Sequence, residues 1–140
     1  MSGAADKAPG LKPIEAARIL SEFFDEPVDA VRQKARVLRD AGIIRKETAG
    51  RGAGNLSDLE IAQLVVAVGT GCRACESASV VKFHGHEIAC LADALDDGNA
   101  RTFVFKRPLR GRVVTVEIGA AIIPLLRSAL RRKAEGRTNA

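Results

Sequence analysis

The sequence predicts a mostly α chain of the α+β class, with an N-terminal helix-turn-helix followed by a helical segment, a β-hairpin and a C-terminal helix. Three observations predict it. Apolar residues recur at a period near 3.6 over two segments separated only by Asp25-Glu26-Pro27. A third, strongly apolar segment follows a capping signal at Ser57. Two β-rich runs, Thr102–Phe105 and Arg112–Ile118, flank the turn-forming stretch Pro108–Gly111.

The first helix is expected from Pro13, a residue tolerated in an opening turn, to Phe24, with Ile14, Ala17, Ile19, Leu20, Phe23 and Phe24 as its apolar set. Acids and proline at 25–27 favour a new helix start, and Val28, Val31, Ala35 and Leu38 then mark a second helix from about Pro27 to Ala41, stopped at Gly42. Between it and the next helix, Ala49–Asn55 places glycine at alternate positions and cannot hold helix or strand alone, so it reads as an arm or wing. Ser57 or Asn55 caps the third helix, with Glu60 completing a capping box, and the apolar run to Val68 makes this helix central. Residues 72–97 read as two short helices interrupted at Gly85, and a final helix after Gly119 runs to about Lys133 with Pro124 in its first turn. The organisation expected is a flexible leader over 1–12, a helix-turn-helix domain with a basic arm over 13–70, a small α+β domain over 71–133 and a basic tail over 134–140.

Charge is blocked along the chain rather than mixed. Residues 1–30 carry net −3, 31–54 net +5, 55–105 net −4 and 106–140 net +7. Two positive zones separated by an acidic middle suit a polyanion surface. The absence of Trp and Tyr disfavours a stacking platform for single strands, so duplex DNA is the expected partner. On the second helix Arg32, Arg36 and Arg39 stand at i, i+4 and i+7, and Gln33 lies near its start. Arginine can chelate guanine or clamp phosphate, and glutamine can address adenine. Arg45, Lys46 and Arg51 follow on the glycine-rich arm, where backbone freedom suits a phosphate strand or a narrow minor groove. A merely solvated basic face is the competing explanation. The basic hairpin segment Lys106–Arg112 reads equally as a further DNA contact, a wing reaching the backbone or a charged edge that prevents strand aggregation, while Arg127, Arg131, Arg132 and Lys133 suit a helix C-terminus.

The run Val37-Leu-Arg-Asp-Ala-Gly-Ile-Ile44, then Gly50-Arg-Gly-Ala-Gly54, then Leu56 to Val68 resembles the LREAGLI, GRG and T-x-x-x-A-A-x-LL-I-A pattern of small alphaproteobacterial prophage-like and gene-transfer-agent transcription regulators of the GafY/GafA type. The resemblance spans about residues 13–70. It implies promoter-DNA binding and transcriptional activation of prophage-like or gene-transfer-agent genes, with contact to RNA polymerase as a further implication.

Every cysteine and histidine falls between Cys72 and Cys90. Cys72, Cys75, His84 and Cys90 form a candidate structural zinc set, but Glu76–Ser79 reads as helix where a knuckle turn is needed, Cys90 sits among apolar neighbours, and no cofactor is the favoured expectation. An enzyme is not expected: the chain lacks a P-loop, a dinucleotide glycine fingerprint, an H-E-x-x-H motif and a paired-carboxylate constellation. With no secretory signal pattern and no apolar run of membrane length, a cytoplasmic, nucleoid-associated bacterial regulator is expected, with no membrane partner and a homodimer as an open question. The alternative is a protein-interaction or RNA polymerase-associated adaptor without its own DNA specificity, built on the acidic middle and the apolar third helix.

Overall fold

A computed structural model describes residues 11–44, 56–99, 101–109 and 112–129. Helices α1 (Pro13–Phe24), α2 (Val28–Asp40) and α3 (Asp58–Gly69) are followed by a short 3-10 turn (Ala74–Glu76), α4 (Ser77–Phe83) and α5 (Gly85–Asp97). Strands β1 (Phe103–Leu109) and β2 (Arg112–Ile118) form an antiparallel pair. A last helix, α6, covers 122–129, with Pro124 in its first turn.

Local chemistry accounts for the boundaries. Pro13 opens α1, and the chain leaves it through Asp25 in the left-handed conformation, φ 54°. The three residues 25–27 join α1 to α2, which packs against it. Gly42 follows α2 at φ 78°, the conformation that ends helices and that glycine adopts without strain. The α3 start has the full reciprocal cap: Ser57 N donates to Glu60 Oε1 at 2.9 Å, and Glu60 N donates to Ser57 Oγ at 3.2 Å. The break between α4 and α5 falls on His84, and Gly85 opens the new helix rather than interrupting the old one.

α3 is the centre of the fold. Its side chains from Ile61 to Val68 are buried apart from Gln63, and it packs against α1 and α2 as well as α4, α5 and β2. Buried apolar residues from Leu11 to Ala129 make one cluster, so the residues expected to divide at about 70 share a single core. Of the expected leader, Leu11 and Lys12 are described; Leu11 is buried and forms an antiparallel bridge with Leu56, whose N–H donates to the Leu11 carbonyl at 2.7 Å. The remainder of the leader and the expected tail lie outside the described residues.

The hairpin is longer than its β-rich runs. Pairing proceeds from Phe103↔Ile118 through Pro108↔Val113 to Leu109↔Arg112, so Pro108 lies within β1 rather than in the connection. Each strand of a two-stranded sheet is an edge strand, where proline is tolerated when its nitrogen faces away from the partner. Phe103, Phe105 and Ile118 are buried, whereas Val104, Lys106, Val113 and Thr115 are exposed, the alternation of a sheet with one covered face.

Candidate nucleic-acid interface

Successive residues of an α-helix turn through about 100°, so Val31, Ala35 and Leu38 share one side of α2, and all three are buried. Lys34 belongs to that same side by position. It is only 4% exposed, and its Nζ lies 3.1 Å from Glu26 Oε1 in the turn before the helix. One of the basic residues of α2 is therefore spent internally, a placement legible in its i+3 spacing from Val31 and i−4 spacing from Leu38.

Arg32, Gln33 and Arg36 are exposed, and among the described residues neither Arg32 nor Arg36 is paired with a carboxylate. Arg39 departs from the expected trio, being half-buried and engaged within the chain. Arg32 and Arg39 both lie toward the Ala35 flank of the helix and Arg36 stands farther out, so angular position does not distinguish the half-buried Arg39 from the exposed Arg32. A groove of about 600 Å³ runs along this flank, lined by Pro13 and Ile14 of α1 and, from α2, by Arg32, Gln33, Arg36 and Arg39 together with the carboxylate-bearing Asp29.

Arg45, Lys46 and Arg51 lie outside the described residues. The anchor points of their segment are described. The chain departs at Ile44, which is buried and whose N–H donates to the Leu38 carbonyl at 3.2 Å. It re-enters at Leu56, hydrogen-bonded to Leu11, two residues before the Pro13 that borders the groove. The segment carrying three cations thus starts at the C-terminal end of the arginine-bearing helix and returns beside the other wall of the groove.

The C-terminal basic residues divide. Lys106 is exposed on β1, and Arg107 and Arg112 take register positions toward the turn end of the hairpin, while Arg110 lies outside the described residues. Arg127 complements a helix C-terminus, but that of α5 rather than its own: its Nη1 donates to the Leu95 carbonyl at 2.6 Å and the Asp96 carbonyl at 2.7 Å. Arg131, Arg132 and Lys133 lie outside the described residues.

The candidate zinc residues point to different partners. Cys72 is buried, with Sγ 3.3 Å from the Ala67 carbonyl; Cys75 is exposed and accepts from Arg73 Nη2 at 3.7 Å. His84, expected as a cap or an exposed residue, is buried, stacks edge-on to Phe105 with centroids 5.1 Å apart, and has Nδ1 3.8 Å from Glu87 Oε1. Cys90 is half-buried rather than a core residue and faces the exposed His86 at 3.9 Å. Among the described residues no three candidate ligands converge. The apolar side of α3, invoked for an adaptor surface, lies inside the core. Among the described residues no helix is long and apolar enough to cross a membrane. No protein-family model, curated protein or solved structure matches the chain.

Proposed function

We propose that the protein is a sequence-specific duplex-DNA-binding transcription regulator that presents α2 to the major groove and uses the basic segment after it as a backbone clamp. The observation that supports this reading is that Arg32 and Arg36, exposed and without a carboxylate partner among the described residues, border a groove with Gln33 and the first turn of α1, while the chain that leads into the basic segment departs at Ile44, just past the end of the same helix. Arg36 and Gln33 address base edges, and Arg32, Arg45, Lys46 and Arg51 address phosphates. Activation of prophage-like or gene-transfer-agent genes rests on the resemblance over about 13–70.

Fluorescence anisotropy with labelled duplexes tests the reading. Four phosphate contacts give a salt slope of about −3.6, so affinity falls roughly 100-fold between about 50 and 200 mM salt. Lys46→Ala lowers that slope by about 0.9 and weakens all duplexes alike, whereas Arg36→Ala relaxes base preference at one position. An Arg32→Ala/Arg36→Ala double variant that binds as the parent does refutes the assignment.

A further inference from the structure

The outermost ridge of α2 is not purely basic. Asp29, Gln33, Arg36 and Asp40 stand at i, i+4, i+7 and i+11, opposite the buried Val31/Leu38 side, and all four are exposed. Among the described residues neither aspartate has an ion-pair partner. Helix stability explains Asp29, which lies in the first turn where the macrodipole favours an acid. It does not explain Asp40, the last residue of α2, where a carboxylate opposes the dipole and where Arg36 four residues earlier stands in the less favourable order for an ion pair. A helix that only clung to phosphate would be weakened by both carboxylates.

Resting on the duplex reading above, we propose that Asp29 and Asp40 are specificity-determining residues. Each accepts a hydrogen bond from an exocyclic amino group of cytosine or adenine at the cognate site, and each meets phosphate or carbonyl oxygens on other sequences. Eleven residues of helix separate them by about 16 Å, the rise of about five base pairs, so they bracket the Gln33 and Arg36 contacts rather than duplicating them. The arginines supply attraction, and the aspartates subtract it wherever the sequence is wrong.

Selection from a randomised duplex pool by the full chain and by Asp29→Asn and Asp40→Asn tests this, followed by anisotropy on the selected and an unrelated duplex. Each variant is expected to bind the unrelated duplex about two- to fivefold more tightly. The ratio of selected to unrelated affinity should fall at least about fivefold, with preference for cytosine or adenine lost at one position. Asp40→Asn should leave the melting temperature unchanged or raised, a readout that separates recognition from a structural role. Selective binding by the parent with an unchanged ratio in both variants overturns the inference while leaving the duplex reading intact, whereas duplex binding without sequence selection overturns both the inference and the sequence-specific part of that reading. Failure of the parent to bind any duplex at low salt overturns the duplex reading, and the inference falls with it.

Discussion

Gly69 ends α3 where that helix meets both the end of α1 and the hairpin. A Cβ added there would lie 2.6 Å from Ile118 Cδ1, 3.0 Å from Ile118 Cγ1 and 3.0 Å from Phe24 Cζ. Ile118 is wholly buried and paired with Phe103 across the hairpin, so its terminal methyl has little room to swing away. Overpacking of this kind costs about 1–3 kcal/mol. Replacing glycine in a helix returns about 0.5–1 kcal/mol, toward the lower figure at a helix end. Gly69→Ala should therefore destabilise by about 1 kcal/mol, which for a chain of this size lowers Tm by about 3 °C. Ile118→Val removes the methyl that makes the closest contact and alone costs about 0.5–1.5 kcal/mol. Combined, the two changes should be less destabilising than their sum by about 1 kcal/mol, because the valine vacates the space the alanine enters. Urea denaturation followed by far-UV circular dichroism measures all three variants. A Gly69→Ala protein more stable than the parent, or strict additivity with Ile118→Val, would refute the contact geometry and the tight joint it implies.

Two further stability predictions follow from the other end of the core. Arg127→Ala removes two charge-assisted hydrogen bonds from the α5 carbonyls, at a cost of about 1–2 kcal/mol by chemical denaturation, and in that background Gly98→Ala should do less harm. The reason is that a Cβ on Gly98 would lie 3.0 Å from Arg127 Cζ, leaving only the strain of φ 77° once the guanidinium is gone. Asp58 has its carboxyl pushed above the ordinary aspartate range by burial first and by the Asp96 charge second, with Arg127 opposing. A carboxyl raised in the folded state favours folding only while protonated, so that contribution is complete below the unfolded aspartate pKa and is lost as pH rises through the folded one. Asp58→Asn should thus match the parent in urea midpoint at about pH 3 and exceed it at about pH 7, and the reverse trend would contradict the assignment.

The helices were legible because their apolar period and their end signals agree. Pro13, the Ser57/Glu60 box and Gly42 each act through one or two neighbouring residues, which a sequence displays directly. The extension of β1 to Leu109 was less visible, since Pro108 argues for a turn until the partner strand is known to leave it on an edge. Long-range relations account for the other differences. His84 reads as a polar residue at a helix break, and only the arrival of Phe105 from the hairpin makes its site internal. Arg127 looks like a cation for its own helix end, yet the carbonyls it reaches belong to α5, more than thirty residues earlier. Within the candidate interface, Arg32, Gln33 and Arg36 stand exposed as their spacing implies, whereas Arg39, on the same flank as Arg32, is half-buried and engaged within the chain, which spacing does not display.

What faces outward on α2 is decided by what holds its back. Val31 and Leu38 set the buried side through the hydrophobic effect, which tolerates some rotation about the helix axis because apolar contact has no direction. The Lys34–Glu26 pair does have direction: a nearly buried ammonium 3.1 Å from a carboxylate in the preceding turn fits only one rotational setting. That setting places Asp29, Gln33, Arg36 and Asp40 outermost and tilts Arg32 and Arg39 toward the first turn of α1. The acidic residues of α5 belong to a different side of the core, since α5 packs on α3, α4 and β1, and α3 is buried along most of its length between its neighbours. The arginines face local charge of both signs, since Asp29 borders the same groove and Asp40 stands on the same outer ridge. The C-terminal half bears on α2 both directly, through the 3-10 turn and α4 that pack against it, and through α3, which packs on α2 in turn.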